Sequence, residues 1–276
     1  MRRRGFAAAA ALYALLLVLG FVFLLPFLWM VSTSLKPTTQ LFVFPPPWIP
    51  DPVRWRNYYE AVTFVDFFTY FRNTLVIATV STIGTVIASP LAAYSFARLQ
   101  WRGRDTMFFV TLAIMMIPSQ VTMVPLFIVF SKLHLTNTIW PLVLPSFVGV
   151  PFFIFLMRQF FKQLPSSLED AARIDGCSEF KVYAKIMYPL CQPGLLTIAL
   201  FQFMWAWNDF IGPLIYLSDE KKYTLQIGLQ MFRQTNDTAW SQLMAASVII
   251  ALPIILLYFF IQKAFVKGIT FGGVKG

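Results

Sequence analysis

The chain has 276 residues and a formal net charge of +10; 58% of its residues are hydrophobic and 12% charged, and its mean hydropathy is +0.68. Ordinary soluble domains carry about 25% charged residues, so a water-soluble globular protein is excluded and a membrane protein is indicated.

A hydrocarbon core about 30 Å thick needs roughly 20 apolar residues per crossing helix. Six runs nearly free of Lys, Arg, Asp and Glu meet that need. The first, Phe6 to Val31, follows Arg2, Arg3 and Arg4, an arrangement shared with secretory signal peptides. It exceeds the about 7–15 residues of a cleavable apolar region and has no small-residue cleavage site ahead of Pro26 and Trp29, so it is expected to be a retained helix. The polar segment Ser32 to Arg72 leads to the second run, Asn73 to Ala97, and the third, Met107 to Phe130, holds Pro118 and Pro125 as candidate kinks. The fourth is Asn137 to Met157, the fifth Gly194 to Leu217 and the sixth Leu243 to Gln262. Only the fifth contains a charge, Asp209. The expected fold is an all-α membrane protein, one domain over 1–276 with six transmembrane helices and a cytoplasmic helix-turn-helix at 166–193.

Cytoplasmic loops carry an excess of Lys and Arg. With the N-terminus inside, fourteen of the 22 Lys and Arg residues fall on the cytoplasmic side, among them Arg2 to Arg4, Arg98, Arg102, Arg104, Arg158 and Arg173, which leaves eight on the other face. Both termini are therefore expected in the cytoplasm. The basic charge follows from topology, and no nucleic-acid partner is needed to explain it. Cys177 and Cys191 fall in a cytoplasmic loop, where thiols stay reduced, so no disulfide is expected. His134, the one histidine, has no nearby Cys or carboxylate cluster, and no metal site is expected.

Between the fourth and fifth runs the sequence from Ser166 to Pro193 is SSLEDAARIDGCSEFKVYAKIMYPLCQP. Ser166 and Ser167 are candidate caps for a short helix whose first turn holds Glu169 and Asp170, carboxylates suited to the positive end of the helix dipole. Ala171 and Ala172 make a slim face. Gly176 stands where a left-handed residue ends a helix, and Ser178 is placed to cap a second helix carrying Phe180, Tyr183, Ile186 and Met187 before Pro189 and Pro193 interrupt it. This order resembles the EAA loop of ABC importer permeases: Glu-Ala-Ala, three residues, Gly, nine residues, Ile, any residue, Leu, Pro. Ala171, Ala172, Gly176, Ile186 and Pro189 match it, Asp170 replaces the Glu and Tyr188 the Leu. The segments WMVSTSLKP, AAYSFARLQWRGR, WNDF and FVKGITFGGVKG also look like permeases of carbohydrate importers, most of all the six-span partner of the maltose type.

That resemblance implies an inner-membrane permease subunit of an ATP-driven sugar importer, in a bacterial or archaeal cell. Its implied partners are a second permease subunit, two nucleotide-binding ATPase subunits, an extracytoplasmic solute-binding protein and membrane lipid. Glu169, Asp170, Ala171, Ala172, Asp175, Gly176, Ile186 and Pro189 would grip the ATPase. The chain itself has no Gly-Lys dipeptide, hence no phosphate-cradling loop with its Lys. It is expected to be no enzyme and to hold no cofactor, ATP and Mg2+ belonging to the partner subunits; no catalytic arrangement of side chains was found. An ion-coupled secondary transporter or channel subunit is the alternative, against which stands the single intramembrane acid, since proton-coupled carriers usually hold several.

In the fifth run Asn208 and Asp209 interrupt an apolar stretch, and an acid facing lipid would cost at least about 2.5 kcal/mol. They are expected to face the interior, with Trp205 one turn earlier on the same side. An aromatic face with an amide and a carboxylate suits a sugar, so Trp205, Asn208 and Asp209 are the expected substrate path; the same trio can equally serve helix-helix contacts. Gly212 and Pro213 are placed to loosen the end of this helix.

Overall fold

The computed structural model describes residues 2–233 and 239–272, with side chains for 8–233 and 239–262. Among them all regular structure is helical. In chain order the helices are α1 (Arg2–Ser34), α2 (Arg56–Phe64), α3 (Phe67–Arg98), α4 (Arg104–Ile114), α5 (Ser119–Lys132), α6 (Trp140–Val148), α7 (Pro151–Gln163), α8 (Ser167–Ile174), α9 (Glu179–Val182), α10 (Tyr188–Leu190), α11 (Gln192–Trp207), α12 (Ile211–Tyr216), α13 (Leu225–Met231) and α14 (Trp240–Gly272). A π turn, Tyr183–Met187, joins α9 to α10.

Among the described residues four stretches are long and apolar enough to cross a membrane: Ala8–Ser34, Phe67–Arg98, Trp140–Gln163, which joins α6 and α7, and Trp240–Gln262. Two more pass only as bent pairs, α4 with α5 at 98° and Glu179–Leu190 with α11 at 77°. The six expected runs therefore become four candidate spans and up to two more that are sharply bent. The third run breaks where sterics require it: a residue before proline is pushed out of the helical region, and Ile117 precedes Pro118, whose own ψ of 134° is extended. Pro125, the other candidate kink, lies inside α5. Gly149, at φ 95°, separates α6 from α7, which opens on Pro151.

The fifth run breaks earlier than expected. α11 stops at Trp207 and α12 starts at Ile211, so the gap falls on Asn208–Phe210 and Gly212 and Pro213 lie inside α12. Two polar side chains bond the local backbone there. Asn208 Nδ2 donates to the Met204 carbonyl at 2.8 Å, and Asp209 Oδ1 accepts from the Gly212 N–H at 3.1 Å. Short polar side chains compete with the helix in this way.

The chain divides into two compact units. In the first, Met1–Phe67 with Gly228–Leu252, a small cluster gathers Ala61, Phe232, Leu243, Ala245 and Ala246. Lys36 is also buried here, its ammonium 3.9 Å over the Trp29 ring, while its carbonyl accepts from Asn57 Nδ2 and Ser241 Oγ. α1 is apolar on every face and keeps residues such as Leu17 and Phe23 exposed, the property of a lipid-facing helix.

The second unit, Phe68–Ile227 with Pro253–Gly276, holds the larger core. Ala93 and Tyr94 of α3, Phe153, Met157 and Phe161 of α7, Ala172 of α8, Val182 and Met187 of the α9 region, and Leu195 and Ile198 of α11 form one buried cluster. The loop helices α8 and α9 are thus part of the packed interior, and that packing holds the loop in place.

Candidate functional site: a docked helical knob and a polar break

The 166–193 segment forms the expected two-helix knob, joined by Gly176 at φ +75°. A left-handed residue with a Cβ costs about 1–2 kcal/mol, which accounts for glycine at this corner. The expected serine caps are not made: neither Ser166 nor Ser178 gives a side-chain bond to the helix it precedes. Ser166 itself has helical angles, φ −66° and ψ −27°, whereas a capping side chain needs an extended backbone.

Tertiary contacts hold the knob instead. Arg98, the last residue of α3, donates from Nη2 to the Phe161 carbonyl at 2.6 Å and to the Leu164 carbonyl. Its Nε lies 3.5 Å from Glu169 Oε1. Glu169 is only 3% exposed. Neither of those two atoms has a hydrogen-bond partner, so the pair attracts by charge across the gap. Burial raises the Glu169 pKa, and the Arg98 guanidinium opposes part of that rise.

A second tie sits on the surface. Arg173 donates to Glu179 from Nε at 2.7 Å and from Nη2 at 3.3 Å, and from Nη1 to Asp170 at 3.1 Å. Tyr94 OH donates at 3.2 Å to Glu179 Oε2, which also accepts from Arg173 Nη2. The Arg173 pairs are partly solvated, so each contributes at most about 1 kcal/mol; their use is to fix the angle between α8 and α9.

The expected coupling residues divide into two groups. Glu169 and Ala172 face inward, against Arg98 and the core, and Ile186 packs on the same core, half buried. Glu169, expected with Asp170 among the residues that grip the ATPase, points into the bundle, one helical step or about 100° from Asp170. Asp170, Ala171, Asp175, Gly176 and Pro189 are exposed. So are two apolar side chains of the knob, Ile174 at 87% and Phe180 at 69%.

The other candidate region surrounds the break in the fifth run. A cavity of about 480 Å3 is lined by Ile77, Leu142, Gln202, Trp205, Asn208 and Asp209, among others. All three expected path residues meet there. Trp205 stacks on Phe153 with ring centroids 4.8 Å apart and remains 48% exposed. A Cβ at Gly212 would collide with the Asp209 carboxylate and press on Leu142, so glycine permits the carboxylate to fold back onto α12. Gln202 was missed by sequence reasoning, although it stands three residues before Trp205 and seven before Asp209, spacings that share one helix face. Arg98 was counted only as a topological charge; an arginine closing an apolar helix was its one signal.

Cys177 and Cys191 are both free. His134 is exposed, and among the described residues no His, Cys, Asp and Glu group could hold a metal.

Residues 82–271 match the family model described as binding-protein-dependent transport system inner membrane component. The chain is 36% identical over 269 residues to an arabinooligosaccharides transport system permease protein of Halalkalibacterium halodurans, covering 95% of this chain and 96% of that one. It is 33% identical to a sulfoquinovosyl glycerol transport system permease protein of Agrobacterium fabrum, covering 95% and 92%. Its fold is similar to a chain in the crystal structure of a bacterial ABC transporter involved in the import of the acidic polysaccharide alginate, with a TM-score of 0.80, 24% identity, and 95% and 97% of the two chains covered.

Proposed function

Because the chain belongs to the family of binding-protein-dependent transport system inner membrane components, we propose that it is the permease subunit through which an ATP-driven importer moves a sugar handed over by a solute-binding protein. Membership makes it a multi-pass inner-membrane transport protein. Permease relatives named for arabinooligosaccharides and for sulfoquinovosyl glycerol support a carbohydrate cargo. Trp205, Asn208, Asp209 and Gln202 form this chain's share of the path beside a second permease: Trp205 offers a ring face to C–H surfaces, the others offer hydrogen bonds to hydroxyls.

One observation carries the mechanism. The knob is fixed rigidly to α3 and α7 by Arg98 and by the buried cluster, while Ile174, Phe180, Asp170 and the Gly176 corner project outward. A contact that is apolar, exposed and stiffly mounted transmits displacement instead of absorbing it. On this reading both termini lie in the cytoplasm, and two nucleotide-binding subunits, which carry ATP and Mg2+, receive the outward face of the knob. Their closure moves α8, and α3 and α7 move with it, so that the paired permeases alternate between inward-open and outward-open states.

Purification of this chain from its own cell membrane, followed by uptake into vesicles, tests the proposal. An ATPase subunit should co-purify, and vanadate should stop sugar uptake. Uptake by the chain alone on an ion gradient would overturn it.

A further inference from the structure

We propose that the loop Leu41–Pro50 is a membrane-interface anchor, lying on the lipid surface at the C-terminal end of α1. Its ten residues read LFVFPPPWIP and contain no polar or charged side chain. The loop leaves and returns at one point: Gln40 donates from Nε2 to the Asp51 carbonyl, and the Asp51 N–H donates to Gln40 Oε1 at 3.2 Å. It is therefore a closed loop of the kind whose ends are pinned together, displayed as a unit. What it displays is greasy: Phe42 is 78% exposed, Phe44 94%, Ile49 80% and Trp48 56%. Exposed apolar patches on this scale mark an interaction surface.

The depth of the loop identifies the occupant. Trp48 packs edge-on against Trp29 of α1, ring centroids 4.9 Å apart, and its carbonyl accepts from Ser32 Oγ. Trp29 carries the Lys36 ammonium on its ring at 3.9 Å. Tryptophan is characteristic of the boundary between acyl chains and headgroups. The membrane-crossing part of α1, 27 residues from Ala8 to Ser34, is about 40 Å long and outreaches a core of about 30 Å, which puts Trp29, five residues from its end, near that boundary. Trp48 is pinned beside it at the same level. The apolar face of the loop is thus continuous with the lipid-facing surface of α1, and lipid covers both. In the topology proposed above this is the outer leaflet, but the anchoring argument holds on either face.

The test uses the assembled transporter in vesicles of phosphatidylethanolamine and phosphatidylglycerol. Cys177→Ser removes the partly exposed thiol; Cys191 is buried and stays. An environment-sensitive fluorophore is placed at Phe44→Cys and, for comparison, at Arg56→Cys on α2. At 44 the emission should shift to the blue, fall at least twofold with lipids brominated near the headgroup, and resist aqueous iodide; at 56 the pattern should reverse. If the label at 44 impairs assembly, Ile49→Cys gives the same reading. Iodide quenching at 44 equal to that at 56 would overturn the anchor. So would protection that appears only when a solute-binding protein is added, or only when a second permease is present, because the occupant would then be protein.

Discussion

Arg98 reaches Glu169 across 3.5 Å of buried space, with neither facing atom hydrogen-bonded, while the same guanidinium holds the carbonyls of Phe161 and Leu164. One side chain thus joins the end of α3, the end of α7 and the start of α8. The two partners are unequal: Arg98 has other acceptors, whereas the facing oxygen of Glu169 has no hydrogen bond and is held by the charge of Arg98 and, further off, of Arg173.

Removal of the two partners should therefore give unequal effects. Arg98→Met leaves a buried carboxylate without its counter-charge and two carbonyls without a donor, a loss of about 3–5 kcal/mol. It should lower the melting temperature of the purified complex and open 166–193 to protease. Glu169→Gln should be mild, because Arg98 keeps its carbonyls. Combining Arg98→Met with Glu169→Met should recover part of the loss, the fraction due to charge.

The raised pKa of Glu169 fixes the sign of a pH effect. The folded chain holds this proton more tightly than the unfolded one, so the contribution to stability is full below the ordinary glutamate value of 4.5 and is lost as pH rises through the elevated value. Wild type and Glu169→Gln should melt close together near pH 4, and wild type should fall behind toward neutrality. Melting curves of both proteins across that range measure the difference; a wild type that gained on the variant with rising pH would contradict the assignment.

Gly176→Val places a β-branched residue at φ +75°, a strain of at least about 1–2 kcal/mol. The corner should shift, with uptake lost and the ATPase more easily dissociated, while the spans stay folded. Asp170→Lys changes an exposed charge that also braces Arg173, and ATPase recruitment should weaken with little change in melting. Uptake and pull-down assays read both.

Around the break in the fifth run, Trp205→Ala and Gln202→Ala should change apparent sugar affinity several-fold and leave assembly intact. Gly212→Ala should act through Asp209, because the added methyl displaces that carboxylate. Transport kinetics equal to wild type in all three would remove this cavity from the path.

The membrane spans were legible because a charge-free run of sufficient length has few alternatives in lipid, and the knob because glycine, proline and alanine fall at fixed intervals. The breaks were harder to foresee. Pro118 ended its helix as pre-proline sterics require, but Pro125 did not, since a neighbouring bundle tolerates some prolines. In the fifth run Asn208 and Asp209 broke the helix through their own hydrogen bonds before Gly212 and Pro213 were reached. Ser166 and Ser178 had the right identity for caps, yet Ser166 takes helical angles, and Ser178, though extended at φ −68° and ψ 155°, gives no side-chain bond to its helix. That Glu169 points inward on α8 was not legible, because the burial of an eight-residue helix depends on where Arg98 stands, which local sequence does not contain.

Placing a photo-crosslinking residue at Ile174, the most exposed apolar side chain of α8, tests the proposed coupling most directly. In inside-out vesicles carrying the whole transporter, it should give an adduct with an ATPase subunit whose yield changes between ATP-bound and nucleotide-free states. No adduct in either state, or access to position 174 only from the extracytoplasmic side, would contradict the role assigned to the knob.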